Sequence, residues 1–142
     1  MSKHFQKLEN LFLESPLNKT LESEIKIDEG FAEIKFTRKD FMHNETYHIH
    51  PAYNFMALES AAFFAANSLI EDVSIFSKSF EVIYLKNSRS INYVAKAKFL
   101  EKSMGNYIIS SELYDDNSNL ISKAKAVYRR SKLSLNNIKN YE

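Results

Sequence analysis

Glu59 is the residue whose type and position call first for a chemical explanation. It stands in a run that opens His50-Pro51-Ala52-Tyr53-Asn54-Phe55 and continues, rich in alanine and phenylalanine, to about position 70. The face of this run that carries Glu59 is otherwise apolar. An unpaired carboxylate is costly to bury, so two readings are open. Desolvation by Phe55, Met56 and Phe63 would sharpen its basicity and make it a general base or nucleophile. Alternatively it is structural, paired with a lysine, an arginine or a backbone donor at a subunit contact. His43, His48 and His50 raise the question of a metal, but no carboxylate or cysteine cluster completes a ligand set, so no metal site is expected. His50 is better placed to anchor the entrance of the helix, by bonding backbone groups or orienting a neighbour. The chain has no cysteine and hence no thiol nucleophile.

The elements that must position these groups follow from periodicity. Residues 51–70 form the one long helical pattern, with proline at the first turn, where its missing N–H is no loss. A shorter helix over 4–14 is predicted from the spacing of Phe5, Leu8, Leu11 and Phe12, ending before Ser15-Pro16. Alternating apolar and polar residues mark strands at 21–27, 31–37, 91–100, 107–114 and 120–130, with a further strand at 80–85. The two glycines fall at turns, Gly30 between the first pair and Gly105 between the 91–100 and 107–114 strands. Two strands carry small residues on one face: Ala95 and Ala97 between Tyr93 and Phe99, and Ala124 and Ala126 before Tyr128. Alanine is depleted in strands, and here it would let the helix, with Ala57, Ala61, Ala62, Ala65 and Ala66, approach closely. Lys123 and Lys125 then face solvent. The expected fold class is α+β: one domain over 1–142, an antiparallel sheet of five to six strands around the central helix, and a loose tail at 133–142.

Bulk composition narrows the function classes. At 142 residues, 44% hydrophobic and 26% charged, the chain is a globular domain with a core of its own. A net charge of +1 makes no case for nucleic acid or a membrane surface. No run is long and apolar enough for membrane insertion, the first residues do not read as a secretory signal, and a cytoplasmic location is expected.

Helix and sheet in this order resemble the hotdog fold. Within that superfamily the chain is similar to small acyl-CoA thioesterases of the phenylacetate-pathway type. Asn44 stands six residues before His50, Glu59 nine after it, and Ser77 eighteen after Glu59, which matches the register of that family's motif. The resemblance implies hydrolysis of thioesters of coenzyme A, or of acyl-carrier-protein, in the chemistry of fatty acid metabolism. Glu59 would be the general base or nucleophile, Asn44 would orient water or the substrate carbonyl, Ser77 would hold water or support Glu59, and His50 would stand at the helix entrance. It implies no cofactor beyond the thioester itself, and a homodimer, or a tetramer as a dimer of dimers, with each site built from both chains. Phe55 and Phe63, one turn to either side of Glu59, are candidates to line the acyl pocket. Arg89, Arg129 and Arg130, with Lys132, are candidates for the coenzyme A phosphates.

In one respect the chain departs from the family. Pro51 and Ala52 replace two glycines, the first of which offers its N–H to the thioester oxygen in the resembled enzymes. Proline has no N–H, leaving Ala52 and Tyr53 as oxyanion donor candidates. An alternative function therefore stands beside hydrolysis: a non-catalytic acyl-CoA-binding regulatory protein. A flagellar- and virulence-associated bacterial branch of small, glycine-poor hotdog proteins is of similar size. Dehydratase chemistry ranks behind both, because its His-Phe-Pro signature is missing at His50.

Overall fold

The alanine rows meet as expected. In the computed structural model, which describes residues 3–142, the strand alanines Ala95, Ala97, Ala124 and Ala126 and the helix alanines Ala57, Ala61, Ala62, Ala65 and Ala66 are all buried, and the helix packs on both strands. The elements are α1 (Lys3–Leu13), α2 (Pro16–Leu21), β1 (Glu24–Asp28), β2 (Phe31–Thr37), a 3-10 turn (Asp40–Met42), α3 (Pro51–Asn67), β3 (Val73–Tyr84), β4 (Asn92–Ser103), β5 (Asn106–Tyr114), β6 (Leu120–Ser134) and a last 3-10 turn (Leu135–Asn137). The six strands form one antiparallel sheet in the order β1-β2-β4-β5-β6-β3, packed on α3.

The outer face of the sheet carries charge in alternation. One row across five strands reads Lys26, Glu33, Lys96, Glu112, Lys123, each residue directly opposite the next. Opposite charges in directly opposed positions are mutually favourable, and the alternation leaves this row without a single-sign block. The lysines of β6 thus point to solvent as their spacing requires.

Several boundaries differ from the sequence expectation; β4 and β6, for instance, run on to Ser103 and Ser134 rather than ending near 100 and 130. Pro16 does not merely end α1; it starts α2, and Leu21 belongs to that helix rather than to β1. Glu22, at φ +54°, closes α2 by directing its N–H at the carbonyls of Asn18 and Lys19. The central helix stops at Asn67, not near 70, because side chains secure its end. The Asn67 amide donates to the Ile70 and Val73 carbonyls, while Ser68 Oγ donates to Ala65 and accepts from the Gly30 N–H at 2.8 Å. The strand expected at 80–85 is twelve residues long, since β6 pairs with it from Val73 to Tyr84 across a bulge between Ser77 and Ser79. Finally, the tail is not loose. Leu135 is buried, Tyr141 Oη lies 2.6 Å from Nδ1 of the buried His4, and Asn10 donates to the Glu142 carbonyl. Among the described residues no helix is long and apolar enough to cross a membrane.

Candidate functional site

Helix α3 buries most of its circumference against the sheet and leaves one stripe less covered: Ala52, Phe55, Met56, Glu59, Ser60 and Phe63. These positions recur at three- and four-residue intervals, which places them on one face of a helix. Glu59 is its only ionisable member, and no lysine, arginine or histidine lies within ion-pair distance of it among the described residues. Its partner is a phenol. Tyr128 Oη, fully buried on β6, donates to Glu59 Oε2 at 2.9 Å and lies 3.3 Å from the Glu59 carbonyl oxygen. Desolvation raises the Glu59 carboxyl above its ordinary pKa, and the Tyr128 hydrogen bond opposes that rise. Burial and the adjacent carboxylate push the Tyr128 phenol far above the usual range, so it remains a donor.

Aromatic rings stand on both sides of this pair. Phe63 meets Tyr128 edge-on with centroids 5.9 Å apart, and Phe55 meets Phe80 edge-on at 5.2 Å. Phe55 remains 44% exposed, open to a ligand or a second chain. Ser77 is directly opposite Tyr128 in the β3–β6 ladder. Directly opposed residues share a face of a sheet, so Ser77 lies on the same side of the sheet as the Tyr128–Glu59 pair.

Other sequence candidates go elsewhere. Asn44 uses its side-chain oxygen within its own turn, accepting from the N–H groups of Thr46 and His48 and from the Thr46 hydroxyl. His50 is the N-cap of α3, and its Nδ1 accepts the Ala52 N–H at 3.0 Å. The Tyr53 N–H goes to the His50 carbonyl at 2.9 Å. Both oxyanion donor candidates are therefore held by His50, and Pro51 has no N–H to add. The three arginines are each engaged differently: Arg89 donates to the Thr46 carbonyl, Arg129 to Asn106 Oδ1 beside the β4–β5 turn, and Arg130 pairs with Asp72. His43 and His48 make local bonds to the Asn44 carbonyl and to Thr46 Oγ1. No group of three His, Asp or Glu that could hold a metal occurs among the described residues.

Sequence reasoning missed two residues. Alternation puts Tyr128 on the inward face, but its bond to Glu59 spans 69 positions. The available signal was a polar-tipped ring ending a row of alanines, since a buried tyrosine hydroxyl finds a partner. Asn54 is buried on α3, and its Nδ2 donates to Ser122 Oγ at 3.3 Å while its Oδ1 has no partner. It borders a cavity of about 260 Å³ with Pro51, Tyr84 and Lys86. Glu59 lines neither this cavity nor the larger one beside β2 and β4.

The architecture has counterparts among solved structures. The E. coli PaaI protein from the phenylacetic acid degradation operon superposes with a TM-score of 0.84 at 18% identity, over 93% of this chain and 96% of that one. This chain has the hotdog fold. A thioesterase family protein from Silicibacter pomeroyi gives 0.81 at 19% identity, over 87% and 95%. A thioesterase enzyme from Staphylococcus aureus gives 0.75 at 14%, over 81% and 98%. No protein-family model matches the sequence, and no curated protein matches it. Nothing in these similarities supports the flagellar- and virulence-associated branch.

Proposed function

We propose that the chain hydrolyses acyl thioesters of coenzyme A or acyl-carrier-protein, with Glu59 as general base or nucleophile. The observation that carries this reading is a partly desolvated carboxylate on a largely apolar stripe, with no cation in ion-pair distance among the described residues and one oxygen anchored by Tyr128. As a base, Glu59 takes a proton from water while the oxygen of that water adds to the thioester carbon. Collapse of the tetrahedral adduct then expels the thiolate, leaving a carboxylic acid and a free thiol once protons are redistributed. As a nucleophile, it would add to the thioester carbon and expel the thiolate, forming an acyl anhydride that water then opens to the free acid and the Glu59 carboxylate.

A second copy of the chain is part of this proposal. Ala52 and Glu59 are seven residues apart, about 10 Å along the axis at roughly 1.5 Å per residue. A carbonyl bond is only about 1.2 Å long, so one thioester does not meet the entrance and the carboxylate of a single helix. A homodimer whose α3 helices lie antiparallel would set the entrance of one against Glu59 of the other. The half-exposed Phe55 and Tyr84, with Phe80 and Val82 along the edge strand β3, offer an apolar surface for that pairing.

One observation favours a second reading, a non-catalytic acyl-CoA-binding protein: the entrance N–H groups are already held by His50. Incubating the protein with short-, medium- and long-chain acyl-CoAs while following thiol release separates the two. Turnover that vanishes in Glu59→Gln supports hydrolysis. Tight binding with no turnover, unchanged by that substitution, supports the binder, and neither turnover nor binding across the panel refutes both.

A further inference from the structure

We infer that Tyr128 is a positioning residue for Glu59, a clamp that fixes carboxylate Oε2 and leaves Oε1 as the single oxygen available for chemistry. The inference rests on Glu59 being the reactive group, and it adds a function for a residue that no motif singles out.

Three observations lead to it. First, the clamp is rigid. Tyr128 is fully buried, flanked by Tyr107 on β5 and Ser77 on β3, with the Phe63 ring edge-on against it. Second, the hydroxyl is dedicated, because both hydrogen-bond acceptors shown for it belong to Glu59, the carboxylate oxygen and the carbonyl oxygen of the same residue. Its single hydrogen goes to the nearer acceptor, Oε2, and the fixed position of the phenol restricts rotation about the Glu59 side chain. Third, no other group among the described residues competes. Of the other inward phenols on the sheet, Tyr93 donates to Ser88 Oγ, Tyr107 packs its ring against Phe99, and Tyr84 borders the cavity beside Asn54; none is hydrogen-bonded to Glu59, and Arg130, two residues beyond Tyr128, is paired with Asp72. Lys96, Lys98, Lys123 and Lys125 lie exposed on the opposite face, β1 and β2 turn Ile27, Ala32, Ile34 and Phe36 into the core, and β3 turns Phe80 and Val82 toward it. On α3 itself Glu59 is the only charged residue, and Glu9 of α1 is used in accepting from the Ile27 N–H.

A carboxylate in apolar surroundings would otherwise sample several rotamers and take up a proton readily. A neutral donor on one oxygen stabilises the ionised form without adding a counter-charge that would quench its basicity. The phenol therefore holds the acid ready to act while transferring no proton itself.

Tyr128→Phe removes only the hydroxyl, so the ring packing survives. The experiment follows the Glu59 side-chain carbon by NMR in glutamate-labelled protein, assigned with Glu59→Gln, and records kcat against pH on whichever acyl-CoA is turned over. The expected result is a rise of about one pH unit in the Glu59 titration midpoint, with the acid limb of kcat moving upward by the same amount. A purely structural tyrosine would lower the Tm and leave both midpoints in place, and that result overturns the inference. If the wild type hydrolyses nothing yet the NMR midpoint still moves, the clamp stands and the thioesterase reading fails. Should Tyr128→Phe not fold, the Tyr128 ring carbon bearing oxygen is followed in tyrosine-labelled wild type. Its shift must track Glu59 ionisation, and a signal indifferent to it refutes the clamp.

Discussion

Replacing Glu59 by glutamine should stabilise the protein above the carboxyl's midpoint and leave stability unchanged well below it. Glutamine keeps the shape of the side chain and an oxygen that can accept from Tyr128, so the substitution chiefly removes a charge. Burial holds the folded-state pKa of Glu59 above its ordinary value despite the opposing Tyr128 bond. The folded protein therefore binds this proton more tightly than the unfolded chain does. That contribution to stability is complete below the unfolded midpoint, about 4.3 for a glutamate, and is lost as pH rises through the folded midpoint. At pH 8 the wild type bears the whole cost of ionising a carboxylate beside Phe55, Met56 and Phe63, while the glutamine variant bears none. Each unit by which the folded pKa is raised corresponds to about 1.4 kcal/mol, or roughly 3–5 °C in Tm for a domain of this size. Thermal unfolding of both proteins from pH 3.5 to 8 measures it. The curves should merge at the acid end and separate with the variant above the wild type. A Tm difference that does not change with pH, or a wild type that is the more stable at pH 8, would refute the claim that burial dominates the environment of Glu59.

Two further outcomes follow from the packing and the helix entrance. Ala61 is fully buried in α3 where helix and sheet meet through small side chains, so Ala61→Leu should cost about 1–3 kcal/mol by overpacking, seen as a lowered midpoint in urea. Pro51→Gly restores an N–H at the first turn of α3. Loss of one oxyanion donor costs about 100- to 1,000-fold in a measured protease, so this variant should raise kcat on the preferred acyl-CoA by up to about 100-fold; an unchanged kcat would mean that the oxygen is stabilised from elsewhere.

Much of the architecture was legible in local pattern. The proline-opened, alanine-rich run of α3, the two-residue period of the inner strands and the positive-φ turns at Gly30 and Gly105 each depend on near neighbours in sequence. The alanines of β4 and β6 went further, since residues that small in strands have a use only if another element packs closely on them. What local pattern could not supply were features stabilised from a distance. The first part of β3, with Ser77, Lys78 and Ser79 in succession, has no alternation to show. It is a strand because β6 pairs with it. The C-terminal segment reads as polar and loose, yet it is docked by Leu135 and by a tyrosine that reaches a histidine 137 positions away.

The candidate site divides along the same line. That a carboxylate shares a helix face with Phe55 and Phe63 is a matter of spacing, and the sequence alone determines it. That Pro51 offers no N–H follows from its chemistry. Only the tertiary structure decided that His50 holds the Ala52 and Tyr53 N–H groups, that Asn44 closes its own turn, and that the partner of Glu59 is a phenol rather than a lysine. The physical reason is that a hydrogen bond is decided by position to within a few tenths of an ångström, and for residues 69 apart that position depends on the packing of the whole sheet against the helix.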